Sequence, residues 1–145
     1  MKKTNLKLKK KTISKHKKEV WEVFSRFIRM RDGLKTTGTT EWGLCITCGK
    51  RYHFKLLQAG HFIPGRHNAN LFLEEGVHAQ CYNCNINLRG NTLNYRRRIL
   101  ELYGEGADER IEITASQTKK FTVWELEELF KYYKDKVREL ENASK

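Results

Sequence analysis

Residues 45–50, CITCGK, and residues 81–85, CYNCN, each contain two cysteines separated by two residues. A Cys-x-x-Cys turn places two thiolates on one side of a tight loop, and two such turns complete a tetrahedral four-sulfur zinc site with no open coordination position. A closed site of this kind stabilises a fold. We therefore expect Cys45, Cys48, Cys81 and Cys84 to bind a structural Zn²⁺ and to nucleate the fold of residues 44–90.

Two disulfides are the alternative use of four cysteines, and they are typical of small secreted proteins. The residues that follow Met1 stay polar and rich in lysine, so we expect no secretory signal. No apolar run approaches the length that spans a bilayer, and we expect no membrane partner. These features favour zinc over disulfides.

The charge of the chain predicts an anionic partner. The 145 residues carry a formal net charge of +12, and residues 1–18 contain nine lysines and no acidic residue. A lysine-rich terminus can be only solubilising, but the adjoining segment is also basic, which favours contact with nucleic acid. We predict a flexible basic arm at residues 1–18 and a single domain at residues 19–145.

Helical spacing of apolar residues predicts an N-terminal helix that Ser14 caps and that ends near Arg31. A second helix is expected over residues 93–102, with Gly104 at its carboxyl end. The polar residues 105–120 are expected to form a connector.

Thr122 and Glu125 form the pattern of a capping box, which predicts a C-terminal helix over residues 121–140. Its apolar face predicts either packing within the chain or an interface with a second copy.

Polar residues crowd the segment between the two cysteine pairs. Residues 59–70 are AGHFIPGRHNAN, and residues 77–80, VHAQ, lead directly into Cys81. These stretches resemble the HNH, or ββα-metal, endonucleases, in which a strand ends in His-apolar-apolar-Pro and a later Cys-x-x-Cys-Asn opens a helix. With residues 13–15, 45–50 and 121–127, they resemble more closely the phage NinG (Rap) recombination nuclease family, and that resemblance covers most of the chain.

The resemblance implies an α+β fold with a small zinc-stabilised ββα-metal centre framed by helices. It implies an endonuclease that cuts branched DNA, such as Holliday junctions, with a divalent cation such as Mg²⁺ or Mn²⁺. It also implies a homodimer, contact with other phage recombination proteins, and a location in the cytoplasm of the bacterial host.

The residues of the motif suit this chemistry. Hydrolysis of a phosphodiester needs an activated water and charge stabilisation at the phosphate and the leaving oxygen. His61 is predicted to be the general base, because a neutral imidazole accepts a proton near pH 7. Asn85 matches the family's last metal ligand and offers a neutral oxygen to a hard cation.

One position departs from the family pattern. Many HNH sites carry an acidic or histidine ligand just before the base, where this chain has Gly60. We expect His78, on the strand that faces the first, to replace that ligand and act at the catalytic centre. His67 and Glu75 are less favoured replacements.

Basic residues that flank this segment are predicted to bind DNA phosphates. They are Lys9, Lys10, Lys11, Lys17, Lys18, Arg26, Arg29, Arg66, Arg89, Arg96, Arg97 and Arg98.

Two other functions are compatible with the same residues. A non-catalytic, zinc-dependent DNA-binding protein of recombination would keep the cysteines and the positive charge without needing His61. A zinc-stabilised RNA-binding protein would have the same charge, although no RRM or KH signature accompanies it.

Overall fold

The computed structural model describes residues 11–143, and it is a mixed α+β structure, as the sequence predicts. The predicted phosphate contacts Lys9 and Lys10, and most of the predicted arm, lie outside the described residues. In chain order the elements are α1 (Ile13–Thr37), β1 (Trp42–Leu44), β2 (Arg51–His53), β3 (Leu57–His61), α2 (Asn68–Leu71), β4 (Val77–Cys81), α3 (Thr92–Tyr103), α4 (Ala107–Ala115) and α5 (Val123–Ala143), with 3₁₀ turns at Phe54–Leu56 and Glu74–Gly76 and a π-helical turn at Asn83–Asn87.

Helix α1 is longer than predicted at both ends. Thr12, rather than Ser14, caps it by accepting a hydrogen bond from the backbone N–H of Lys15. The helix continues through Gly33, where a Cβ would lie 2.6 Å from the Trp42 carbonyl oxygen. Gly33 is thus required by the close approach of β1, and the helix ends only at Gly38, whose φ of 82° is left-handed.

Two antiparallel hairpins follow α1. Strand β1 pairs with β2, and β3 pairs with β4, with Gly60 opposite His78 and His61 opposite Val77. Because side chains alternate between the faces of a strand, Ala59 and Val77 face one way, and Gly60 and His78 face the other. The first face packs on Phe24 and Phe27 of α1, and the second lies against α3.

The outer edge of β4 is covered by side chains of α1. The buried Asp32 accepts the backbone N–H of Ala79 at 2.7 Å, and Arg31 donates to the carbonyl of Val77 at 2.8 Å. Arg31 and Asp32 also form an ion pair with each other at 2.8 Å. The backbone N–H of Ile46 donates to the Ala79 carbonyl. These bonds satisfy polar groups that a two-stranded sheet would otherwise leave unpaired in the interior.

The region after the hairpins differs from prediction in one element. Helix α3 ends at Gly104 as predicted, but the predicted connector over residues 105–120 contains α4. Ala107, Ile111 and Ala115 lie four residues apart and are buried. This narrow stripe of mostly small side chains packs a helix against α3 and Phe62.

Helix α5 confirms the predicted capping box. The backbone N–H of Glu125 donates to Thr122 Oγ1 at 3.1 Å, and the Thr122 N–H donates to the Glu125 carboxylate at 3.3 Å. Leu126, Tyr133 and Val137 are buried. Tyr133 and Val137 pack on α1, so part of the apolar face is used inside the chain. Among the described residues, no helix is long and apolar enough to cross a membrane.

The Arg31 and Asp32 contacts predict a large effect of one substitution. We expect Asp32→Ala to lower the free energy of unfolding by about 3 kcal/mol, because a buried N–H and a half-buried guanidinium lose their acceptor. Urea denaturation followed by circular dichroism measures this change. Asp135→Ala removes an exposed carboxylate of α5 and is the matched control, with an expected change below about 0.5 kcal/mol. Equal losses in the two variants would contradict this role of Asp32.

Candidate functional site

The two cysteine pairs meet in space. The sulfurs of Cys45, Cys48, Cys81 and Cys84 all lie within 4.8 Å of one another, and all four are free thiols. The Cys48 and Cys81 sulfurs are 3.9 Å apart. A tetrahedral site with Zn–S bonds of about 2.3 Å has sulfurs about 3.8 Å apart, so the cluster could hold a zinc ion without rearrangement of the backbone.

Polar groups around the cluster favour a thiolate at Cys45, whereas burial raises the pKa of Cys48 to about 12 and also raises the pKa of Cys84. The backbone N–H of Cys84 points at the Cys81 sulfur at 3.4 Å, and the Asn91 amide donates to the Cys84 sulfur at 3.5 Å. Burial opposes ionisation of Cys45, but hydrogen bonds from the Cys48 backbone and the Thr47 hydroxyl outweigh it and lower the Cys45 pKa to about 7. A thiolate is the form that binds metal.

A cleft of about 580 Å³ lies along β3, beside the cysteine cluster. It brings together four of the predicted site residues, His61, Asn85, Arg66 and Arg89, with Trp21 and Ser25 of α1. Cys84 of the cysteine cluster immediately precedes Asn85, and β3 ends at His61. The cysteine cluster and the hairpin therefore position the two sides of the cleft.

His61 is held in one orientation. Its Nε2 lies 3.1 Å from the Leu71 carbonyl oxygen, which can only accept, so Nε2 carries the proton. The ring stacks on Trp21 with centroids 5.3 Å apart and planes 14° apart. Burial lowers the His61 pKa, the Leu71 carbonyl opposes this, and the positive charge of Arg66 lowers it further. His61 is therefore neutral at pH 7, with its proton on Nε2 and a lone pair on Nδ1.

Asn85 is positioned differently from the prediction. It lies in the π-helical turn rather than at the start of a regular helix, and α3 begins only at Thr92. Its side-chain Nδ2 donates to Gln58 Oε1 at 2.7 Å, which leaves Oδ1 as the free ligand atom.

The structure places His78 outside the cleft. It is buried on the opposite face of the hairpin from His61, with Nδ1 3.2 Å from the Tyr95 hydroxyl and Nε2 2.7 Å from the Tyr103 hydroxyl. Burial lowers its pKa to about 4. Both ring nitrogens are used, so this placement disagrees with the prediction that His78 replaces the ligand missing at Gly60.

The two less favoured replacements also lie outside the cleft. His67 is exposed at the start of α2, where its ring lies against Gly65. Glu75 forms an ion pair with Arg110 at 3.4 Å. Neither residue lines the cleft with Asn85.

The predicted phosphate contacts divide into two groups. Arg66 and Arg89 line the cleft, and a second groove beside it is lined by Lys17, Lys18 and Arg66, although Lys17 also donates to Asn68 Oδ1 at 2.6 Å. The remaining described arginines and Lys11 have partners elsewhere: Lys11 with Glu19, Arg26 and Arg29 with Phe54, Arg96 with Asp108 and Glu112, Arg97 with Asn94, and Arg98 with Glu101.

Sequence reasoning missed two residues of the cleft. It did not assign Trp21 to the site, and the structure shows that this indole supports the His61 ring and that its ring lies 4.4 Å from the Arg66 guanidinium carbon. It did not single out Gln58, which orients Asn85. The alternation of β3 places Gln58 on the face of Gly60, which is the one sequence signal for it.

Comparison with known proteins finds one family. A family model described as "Bacteriophage Lambda NinG protein" matches residues 1–143. Two curated relatives, each named "Protein ninG", from Escherichia phage 933W and Enterobacteria phage VT2-Sa, are each 28% identical over 127 residues. The match covers 87% of this chain and 58% of each relative, so the chain spans less than two thirds of their length. No solved structure matches the chain.

The cysteine cluster predicts the effect of metal removal. We expect the purified protein to carry a single zinc ion, and Cys48→Ser to lose it, because the cluster then lacks its fourth thiolate. Zinc content by mass spectrometry and the melting temperature should fall together, since metal binding is linked to folding. A chelator should have the same effect on the wild type, and added Zn²⁺ but not Mg²⁺ should reverse it. A stable fold at full zinc loss would contradict the prediction.

Burial of His78 predicts acid sensitivity. Its folded pKa is about 4 against an ordinary value of 6.5, so between these values the unfolded chain binds a proton that the folded chain does not. The stability linked to His78 is therefore complete above pH 6.5 and falls as the pH decreases. When the pH is lowered from 7.5 to 5, the free energy of unfolding should decrease in both proteins. We expect the decrease to be about 2 kcal/mol smaller in His78→Phe than in the wild type. Parallel pH profiles from urea denaturation would contradict this.

Proposed function

Because the chain belongs to the NinG family of bacteriophage proteins, we propose that it is a metal-dependent DNA endonuclease that hydrolyses phosphodiester bonds in branched recombination intermediates. The observation that carries the proposal is the state of His61. It is a neutral imidazole with its proton bound toward Leu71, and it lies in a cleft with Asn85 and two arginines. A base, an oxygen ligand and fixed positive charge are the groups that this hydrolysis requires.

His61 Nδ1 accepts a proton from the attacking water. The water oxygen bonds to phosphorus, and the bond from phosphorus to the 3′ oxygen breaks. The Leu71 carbonyl holds Nε2–H and stabilises the imidazolium that forms. Trp21 keeps the ring from turning away, so the base meets the water in one orientation.

Asn85 fits the role of cation ligand, because Gln58 occupies its amide nitrogen and leaves its oxygen free. When bound there, Mg²⁺ or Mn²⁺ supplies positive charge beside the scissile phosphate and the leaving oxygen. A neutral amide oxygen suits both of these hard cations.

Arg66 and Arg89 bind the phosphates that flank the scissile bond, since a guanidinium matches two phosphate oxygens at once. Lys17 and Lys18 extend this positive surface along α1, beside Arg66. Such contacts position DNA without reading its bases. A preference for DNA shape over sequence is consistent with this surface.

Branched DNA, with the Holliday junction as the main example, is the substrate that the family resemblance favours. Symmetric cuts in two strands need two cleavage sites, which a C₂ homodimer supplies. The second candidate is a DNA-binding accessory protein of recombination without cleavage. Gly60 favours it, because this position carries no side chain to bind a catalytic cation.

Cleavage of a labelled four-way DNA junction and of linear duplex distinguishes the candidates. We expect the wild type to cut the junction with Mg²⁺ or Mn²⁺, and His61→Ala to be slower by roughly 100-fold or more, because it lacks the base. His16→Ala, a histidine substitution outside the cleft, is the matched control. Zinc content and DNA affinity of all three proteins should be equal.

Binding of the junction without cleavage by any of the three proteins, with either metal, would support the accessory protein. Cleavage by His61→Ala at the wild-type rate would contradict the assignment of His61 as the base, but it would still support the endonuclease function.

A further inference from the structure

Gln80 is a buried amide with one unused atom. Its side chain is 0% exposed, and its Nε2 donates to the Gly90 carbonyl at 2.9 Å and to Thr47 Oγ1 at 3.2 Å. Because a carbonyl only accepts, the bond to Gly90 fixes which side of the amide carries the nitrogen. The other atom, Gln80 Oε1, is buried and has no hydrogen-bond partner among the described residues. An oxygen left in this state costs about 1–3 kcal/mol.

The unused oxygen points at Gly60. A Cβ at Gly60 would lie 2.0 Å from Gln80 Oε1 and 3.1 Å from Asn85 Oδ1. The two amide oxygens therefore approach the same point, on the face of β3 where Gly60 leaves space. A side chain at this position would collide with Gln80, so the glycine and the glutamine depend on each other.

The contacts of the two amides leave their oxygens for a cation. Gln80 Nε2 is used by Gly90 and Thr47, and Asn85 Nδ2 is used by Gln58. Two acceptor oxygens that lie near one point without a donor repel each other, and a positive ion bound by both removes that repulsion. Amide oxygens are ordinary ligands of Mg²⁺ and related hard cations, which keep water or substrate phosphate in the other positions.

We propose that Gln80, which is buried beside Gly60 behind the cleft wall, supplies the cation ligand that Gly60 cannot, and that Gln80 Oε1 and Asn85 Oδ1 together bind a divalent cation where Asn85 lines the cleft. This inference rests on the proposed function, since it identifies the ligands of the cation used there. His61 is the next residue of β3 and its side chain lies on the opposite face of the strand, but both His61 and Asn85 line the cleft. The site also connects the cation to the cysteine cluster, because Thr47 contacts both Gln80 and Cys45.

The test measures Mn²⁺ binding directly, without DNA and without turnover. Free Mn²⁺ is quantified by electron paramagnetic resonance during titration of protein that has first been loaded with zinc. We expect Gln80→Met to bind Mn²⁺ at least about tenfold more weakly than the wild type, and Gln80→Glu at least about tenfold more tightly, because a carboxylate replaces the neutral oxygen.

Asn70→Leu is the matched control. Asn70 carries the other buried amide oxygen without a partner among the described residues, and its side chain is not among the groups nearest Gly60. We expect this variant to bind Mn²⁺ as the wild type does. Zinc content and melting temperature report whether each variant is folded, and Gln80→Glu decides the question if Gln80→Met does not fold.

Mn²⁺ affinity that is equal in the wild type and in every folded Gln80 variant would overturn the proposal and make Gln80 a packing residue. This failure is distinct from failure of the proposed function. If the wild type cuts DNA and the Gln80 variants bind Mn²⁺ normally, only the assignment of Gln80 as a cation ligand is refuted. If the wild type binds Mn²⁺ through Gln80 but cuts no DNA, only the proposed nuclease function is refuted.

Discussion

The meeting of four cysteine sulfurs is the constraint on which the rest of the structure depends. The two pairs lie at either end of the segment that contains β2, β3 and β4, so their convergence closes a loop around both halves of the hairpin. These strands are three to five residues long and form separate two-stranded sheets, which are marginal without further support. The cluster supports them from one end, and the packing of α1 and the bonds of Arg31 and Asp32 support them from the side.

The parts of the fold that follow from neighbouring residues were predictable from the sequence. The capping box at Thr122, the end of α3 at Gly104 and the paired cysteines each need only a few adjacent positions. Helix α4 was missed because its buried stripe contains two alanines, which carry a weak apolar signal. The end of α1 was missed because Gly33 resembles a terminator, whereas its purpose is a contact with β1 that no local pattern reveals.

The residues of the candidate site also divide into those that a local pattern predicts and those that depend on packing. The proximity of His61 and Asn85 was predictable because a motif fixes their spacing, and the structure brings both to one cleft, while their roles stay predictions. His78 was misplaced because its role depends on two tyrosines from α3, which the sequence does not place beside it. Gln80 lies two residues after His78 on the same face of β4. Strand alternation alone therefore makes both residues equally good candidates for a cation ligand. What distinguishes them is which partners reach each side chain, and that is decided by packing.

Arg66 and Arg89 adopt left-handed backbone conformations, with φ of 47° and 52°. A residue with a Cβ pays about 1 kcal/mol for this conformation, and glycine adopts it freely. Glycine at either position would relieve this backbone strain and remove a cation from the cleft. At these two positions the backbone is strained and the side chain supplies positive charge to the cleft. A search for substitutions that only relieve strain would therefore remove the charge of the cleft.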